Sequence, residues 1–320
     1  MKFRVESYKQ KNKRDWEEFI GQAPGGTLFH RRKFLSYHPS GRFTDGSLLV
    51  YRGDNLIAVM PAAVMKQSDG VRILHSHPGA TVGGVVTAKD IGIHGMTDIV
   101  RAIGQHAGEN GFQRIGMTIP PAVYSGVAHD DLEFVLRHAG ATYGMQELCG
   151  LLDLSGGYQP GAALRRALRK AEKNGVVAHE THRYPEFFRI LRQNLAFRHN
   201  VKPTHTLKEL QDLRHRFPDD IRLFGAFCDN RLTAGVVVFV CNQSTALGFY
   251  MSHDPQYSHL RVMDAVMDGA IQWVQAAGCR VFDFGIFTKQ MTPNWGLGRF
   301  KEKFGAHGVL RNTLWLDVKR

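Results

Sequence analysis

The sequence predicts an α/β protein built from two similar lobes, each a mixed sheet flanked by helices, and three observations carry that expectation. First, Leu49-Val-Tyr-Arg-Gly-Asp-Asn-Leu-Ile-Ala-Val-Met60 and Gly225-Ala-Phe-Cys-Asp-Asn-Arg-Leu-Thr-Ala-Gly-Val236 each read as a strand, a polar turn and a strand, with Leu and Ala at matching spacing. Second, each hairpin is followed by a helical stretch, a glycine stop and a strand: Thr97 to Asn110, Gly111, then Phe112 to Ile119, and Arg261 to Ala277, Gly278, then Cys279 to Ile286. Third, both halves close alike, with helices Leu132 to Ala141 and Leu297 to Ala306 stopped by Gly-Ala, leading to strands that end in Leu151-Leu-Asp153 and Leu314-Trp-Leu-Asp317. A repeated order of matched segments is the mark of a duplicated unit, and it places the lobes at residues 1–154 and 155–320.

The turn-rich link Ser155-Gly-Gly-Tyr-Gln-Pro-Gly161 precedes a predicted helix over 162–174. Leu164, Leu168 and Ala171 form its apolar stripe, while Arg165, Arg169 and Lys173 follow at i, i+4, i+8 with Arg166 and Lys170 alongside. These five cations with one acid repel one another at low salt, so a polyanion would relieve the strain. A solvated basic helix is the plainer reading.

With 320 residues and 43% hydrophobic content, the chain can bury a substantial core, and its length favours two domains. The formal charge of +12 points to a polyanionic partner such as RNA, a pyrophosphate-bearing carrier or an anionic membrane surface. Cys149, Cys228, Cys241 and Cys279 are widely spaced, which fits reduced core residues rather than a disulfide framework. No apolar run reaches the roughly 18 residues of a membrane span and the N-terminus has no signal core, so a cytoplasmic protein is expected, with peripheral attachment at the inner membrane face as a variant. His75, His77 and His94 are the best-looking histidine group, yet no acid stands at ligand spacing and there is no His-Glu-x-x-His, so no metal is expected. Gly-x-Ser-x-Gly is absent, and so are zinc-finger and RRM signatures.

The most informative stretch is Arg280-Val-Phe-Asp-Phe-Gly-Ile-Phe287, followed by Gly296-Leu-Gly-Arg-Phe-Lys-Glu-Lys-Phe-Gly305: a buried strand leading into a helix that carries Lys301. Phe300 and Phe304 share one helical face, which turns Lys301 toward a neighbouring surface. This pairing resembles the last strand and helix of the Fem family, the two-lobed members of the GNAT acyltransferase superfamily that add amino acids to peptidoglycan precursors. The basic segment Arg169 to Val176 is similar to one in the same family, and the order hairpin, helix, strand, helix, strand is that of a GNAT lobe. The resemblance implies a duplicated GNAT-like fold and transfer of an acyl or aminoacyl group to an amine, forming an amide, on a cell-envelope precursor.

It also implies roles for individual residues. Lys301 becomes the candidate stabiliser of the tetrahedral oxyanion, the term that acyl transfer most needs. Asp283, which points opposite Phe282 and Phe284 by the two-residue period, either orients the acceptor amine or Lys301, or holds the Gly285 turn. Arg198, His199 and Lys202 lie in a helix end and loop that Fem-like proteins use to grip precursor phosphates, and Tyr250 and Tyr257 match tyrosines of their cleft. Leu74 to Gly84 resembles a Gly-containing stretch lining that cleft.

The resemblance to ordinary GNAT proteins breaks at one place. They carry a glycine loop that wraps the acyl-CoA pyrophosphate at a helix N-terminus, whereas this chain reads His253-Asp-Pro-Gln-Tyr-Ser-His-Leu-Arg261. That favours aminoacyl-tRNA over acyl-CoA as donor, with no tightly bound cofactor and a small or carrier-linked amine as acceptor. The competing readings are an acyl-CoA N-acyltransferase acting on a sugar or amino acid, and a non-catalytic polyanion-binding protein.

Overall fold

The computed structural model describes residues 3–126, 129–199 and 202–318, with backbone only for residues 197–199. The first part of the chain runs β1 (Phe3–Ser7), α1 (Lys13–Gln22), α2 (Arg32–Leu35), β2 (Thr44–Asp45), β3 (Leu48–Arg52), β4 (Asn55–Met60), β5 (Ala63–Lys66) and β6 (Arg72–Ser76). It continues through β7 (Val86–Thr87), α3 (Ile93–Glu109), β8 (Arg114–Thr118), α4 (Asp131–His138) and β9 (Thr142–Asp153). Next come α5 (Ala162–Lys173), β10 (Val177–Glu180), α6 (Tyr184–His199), α7 (Leu207–Arg216), β11 (Ile221–Cys228), β12 (Arg231–Val240) and β13 (Thr245–His253). The chain ends with α8 (Val262–Ala276), β14 (Val281–Ile286), β15 (Thr288–Lys289), β16 (Thr292–Pro293), α9 (Trp295–Glu302) and β17 (His307–Asp317).

Both expected hairpins are present, as β3–β4 and β11–β12. The second turns on Asp229 and Asn230, both at positive φ (47° and 60°), the backbone that two-residue hairpin turns require. Among the described residues, no helix is long and apolar enough to cross a membrane.

The chain divides into two compact units, Met1–Glu147 with Leu310–Arg320, and Leu148–Val309. This differs from the division at 154/155, because the last strand of each repeat serves the other unit. In the second unit, Val281, Phe282 and Asp283 of β14 pair antiparallel with Asp153, Leu152 and Leu151 of β9. In the first, Thr313–Asp317 of β17 pair with Thr118–Arg114 of β8.

In the first unit, β1, β3, β4 and β7 form one sheet, and β8, β6, β5 and β2 follow β17 in another. Alternation along β3 sorts its side chains, with Leu48 and Val50 facing the core that holds Ile99, Val100 and Ile103 of α3, and Leu49 packing in the cluster of Trp16 and Ile20 from α1.

The second unit has the strand order β10-β11-β12-β13-β14-β9. One face carries α5, α8 and α9: Val236, Val238, Phe282 and Phe284 pack with Leu164, Val266, Ile271 and Phe304. Phe282 is fully buried, so its truncation to alanine would cost about 3–5 kcal/mol. Helices α6 and α7 cover the other face, where Gly235 admits Phe187 so closely that a Cβ would stand 2.5 Å from its ring.

Candidate functional site

Strands β13 and β14 are parallel, and their pairing is confined to Thr245–Leu247 with Val281–Asp283. Two irregularities accompany the point where they part. On β13 the register with β12 shifts so that Phe249 is the extra residue, a bulge that increases local twist. On β14 the register with β9 shifts between Asp283 and Ile286, at Gly285 with φ +70°. Such a positive φ is cheap only for glycine.

Two predicted site residues converge on Gly285. The Asp283 Oδ1 accepts the Gly285 N–H at 2.6 Å, and the Lys301 Nζ donates to the carbonyls of Gly285 and Ile286 at 2.5 and 2.8 Å. Both side chains are 1% exposed. Lys301 is therefore directed inward onto the bulge, with the Phe287 ring 5.5 Å from its Nζ. Room for its stem comes from Gly150 of β9, where a Cβ would stand 2.8 Å from the lysine Cδ. The turn-holding alternative for Asp283 is the geometry that the structure displays.

At the start of α8 the sequence His253 to Arg261 forms a 3-10 turn over Pro255–Leu260, capped on its N-terminal side by Asp254, with Arg261 left-handed at φ 65°. The first turn of α8 carries Asp264, buried and paired at 2.5 Å with Lys303, the residue that follows α9. A carboxylate thus already lies at this helix N-terminus, where its charge is favoured by the helix dipole.

On the α6–α7 face, the Tyr250 hydroxyl accepts the His205 N–H at 3.1 Å and bonds the His205 Nδ1 at 2.9 Å. Burial raises the Tyr250 pKa. Asn194 of α6 donates to the Ser252 hydroxyl and the His253 carbonyl, which ties α6 to the same end of β13. Lys202 is exposed on the loop pinned by His205, and the described side chains do not include Arg198 and His199. Tyr257 is half-buried in the 3-10 turn beneath the Arg231 guanidinium, 5.3 Å from its ring.

The cations of α5, namely Arg165, Arg166, Arg169, Lys170 and Lys173, are all exposed, and Leu164, Ala167 and Ala171 anchor the helix against α8. They belong to the opposite sheet face from Tyr250 and Lys202, so the structure does not gather the predicted residues into one cluster. His75, His77 and His94 form no metal site either, since no group of three possible ligands occurs among the described residues. Gly150, His205 and the Asp264–Lys303 pair were not singled out from sequence. A small residue opposite a long buried side chain, and a charge pair between distant helices, leave no periodic signal in a single chain.

Parallel strands that part at a bulge, with a helix beginning after the first of them, define a GNAT-type lobe, and the whole chain has the tandem GNAT fold. Residues 162–302 match the family model described as Acetyltransferase (GNAT) domain. The fold is similar to FemX (TM-score 0.72, 11% identity, covering 98% of this chain and 97% of that one). It is also similar to the C-terminal domain of a putative lysylphosphatidylglycerol synthetase from Agrobacterium fabrum (TM-score 0.61, 13% identity, 97% and 92% covered). A third similar fold is a tandem GNAT protein from the clavulanic acid biosynthesis pathway (TM-score 0.54, 11% identity, 100% and 99% covered). No curated protein matches the chain.

Proposed function

We propose that this protein is an N-acyltransferase that moves an acyl or aminoacyl group onto an amine of a cell-envelope precursor. The observation that carries this reading is the parting of β13 and β14 at the Gly285 bulge, inside the segment that matches the GNAT model. An acyl donor inserted between parted strands meets unpaired backbone groups, and an ammonium held beside that opening adds positive charge where an oxyanion would form. Lys301 has this place in the reading. Its contacts with the Gly285 and Ile286 carbonyls fix the charge in position, so its contribution is preorganised rather than gathered during the reaction.

The reaction forms a C–N bond as the amine attacks the activated carbonyl carbon, and the tetrahedral intermediate collapses by breaking the bond to the leaving group. With aminoacyl-tRNA the leaving group is a ribose hydroxyl, which takes up the proton lost by the amine. Aminoacyl-tRNA is the favoured donor because the helix start at which acyl-CoA would set its pyrophosphate has no glycine loop and is already occupied by the Asp264 carboxylate, itself paired with Lys303. In this reading α5 offers its exposed cations to the tRNA backbone, Arg198 and Lys202 have the role of holding the phosphates of a carrier-linked acceptor, and the site works in the cytoplasm at the inner membrane face.

The test is thermal-shift stabilisation by acetyl-CoA, charged tRNA and UDP-linked muramyl peptide, each at about 100 times its dissociation constant, where a bound ligand adds roughly 2.7 kcal/mol. Stabilisation by tRNA or the UDP precursor, together with amide product that disappears in Lys301→Met, supports the reading. Stabilisation by acetyl-CoA alone transfers it to a CoA-dependent enzyme, and salt-dependent polyanion binding with no product overturns it.

A further inference from the structure

Residues of α6 and of the stretch 202–207 line a groove of about 550 Å³, of which the roles above use Lys202 alone. Its floor is apolar, built from Phe188, Pro203 and Leu207, and its rim carries Arg189, Arg192 and Lys202. The three cations are exposed, and among the described residues none has a carboxylate partner. Some helix arginines of this chain are matched by an acid, as Arg101 is by Asp98 and Arg216 by Asp212, whereas this rim, like the exposed face of α5, is not. Arg189 and Arg192 are three residues apart on α6, which brings both guanidinium groups to one side of the helix.

Unpaired charge of one sign around an apolar floor selects a ligand that is anionic at one end and apolar at the other. The volume lies within the range of small-molecule pockets, about 300–1,000 Å³. Two turns of a docked helix, a cylinder about 10 Å across, would need roughly 850 Å³, so a peptide helix fits poorly. We infer that this groove is a binding site for a single-chain anionic amphiphile, its phosphate or carboxylate held by Arg189, Arg192 and Lys202 and its chain lying on Phe188, Pro203 and Leu207. Arginine suits the head because its planar fork can give two N–H donors to one phosphate. The groove walls are steady enough for such a role, since Asn194 ties α6 to β13 and His205 ties the Lys202 loop to Tyr250. The site shares Lys202 with the acyl-transfer reading, but Arg189, Arg192 and the apolar floor have no part in that reading, so failure of amide formation and failure of groove binding are read separately.

The experiment is isothermal titration of the full chain with dodecyl phosphate below its micelle concentration, beside inorganic phosphate and dodecanol. One saturable dodecyl phosphate per chain is expected, weakened at least about tenfold in Arg189→Ala/Arg192→Ala, since charge-assisted contacts of this kind readily reach that factor. Ala196→Trp, which fills the groove from the exposed face of α6 and leaves its charge unchanged, should weaken binding by a similar factor. Affinity should also fall with added salt. Equal binding of inorganic phosphate would reduce the site to a charged surface, and equal binding of dodecanol would remove the role of the cations. Either result overturns the inference, as does an absence of dodecyl phosphate binding or an unchanged affinity in both variants.

Discussion

The two units contain the same parallel strand pair, and they treat the gap beside it in opposite ways. In the first unit, Ile73–Ser76 of β6 pair with Arg114–Met117 of β8, and the chain's own Gly83-Gly84 segment follows directly into the space beyond. The Gly83 N–H donates to the Thr118 carbonyl at 2.7 Å, and the buried Ser76 hydroxyl accepts the Gly84 N–H at 2.8 Å while donating to the Pro61 carbonyl. A Cβ on Gly83 would stand 2.5 Å from the Ser76 backbone, so glycine is what lets the plug sit so close. In the second unit, β13 and β14 part after three pairs, and a lysine ammonium holds the bulge on one side of the opening. One duplicated frame has a gap filled by backbone and the other a gap edged by charge. The filled copy supports structure, and the edged copy is where chemistry is proposed.

Acid should separate the units most. Burial pulls the His30 pKa to about 4, and burial together with the positive field of His38 pulls the His77 pKa to about 3. Both histidines are neutral when folded and take up a proton when unfolded below about pH 6.5, so their stabilisation is full above that pH and is lost as pH falls through 6.5 toward 4. At pH 5 the loss is about 2 kcal/mol for each. Hydrogen exchange between pH 7 and 5 should therefore deprotect β8 before β12, and equal loss in both units would break the contrast.

Lys301→Met tests the other side of the comparison. It leaves the carbonyls of Gly285 and Ile286 without their donor and should lower stability by roughly 3 kcal/mol, read as a shift in urea midpoint of the second unit. A smaller shift with complete loss of amide product would give Lys301 a purely chemical role. Gly83→Ala should cost about 1–3 kcal/mol through overpacking of the plug, and exchange should show it in the first unit alone. Tyr250→Phe removes the hydroxyl that holds His205 and should cost about 1 kcal/mol, with faster exchange at His205 and unchanged protection on β14.

Much of this contrast was open to reading from the residues, and part was not. The hairpins, the α3 and α8 helices and the strands after them follow from apolar spacing and glycine stops, and they lie within a few residues of expectation. Thr206 with Glu209 begins α7 as a capping box, the local device that makes helix starts legible. The exchange of β9 and β17 between units was hidden because the alternating apolar pattern of a strand marks its faces and says nothing of which neighbour it will join. Lys301 stood out through its family resemblance, but its inward direction depends on the absent side chain of Gly150 on β9, a strand far removed from it in the sequence. The groove cations Arg189 and Arg192 were passed over because exposed arginines on a helix ordinarily carry no message until their missing partners can be seen.

The crossing of β9 and β17 between the units also sets an order of manufacture. Residues 148–309 are contiguous, so the second unit has every strand it needs as soon as that stretch has left the ribosome. The first unit, though begun earlier, waits for residues 310–317 before β8 gains its neighbour. The part of the chain translated first is thus the last to be completed, and until then its β8 edge is exposed to any chaperone or stray strand that reaches it.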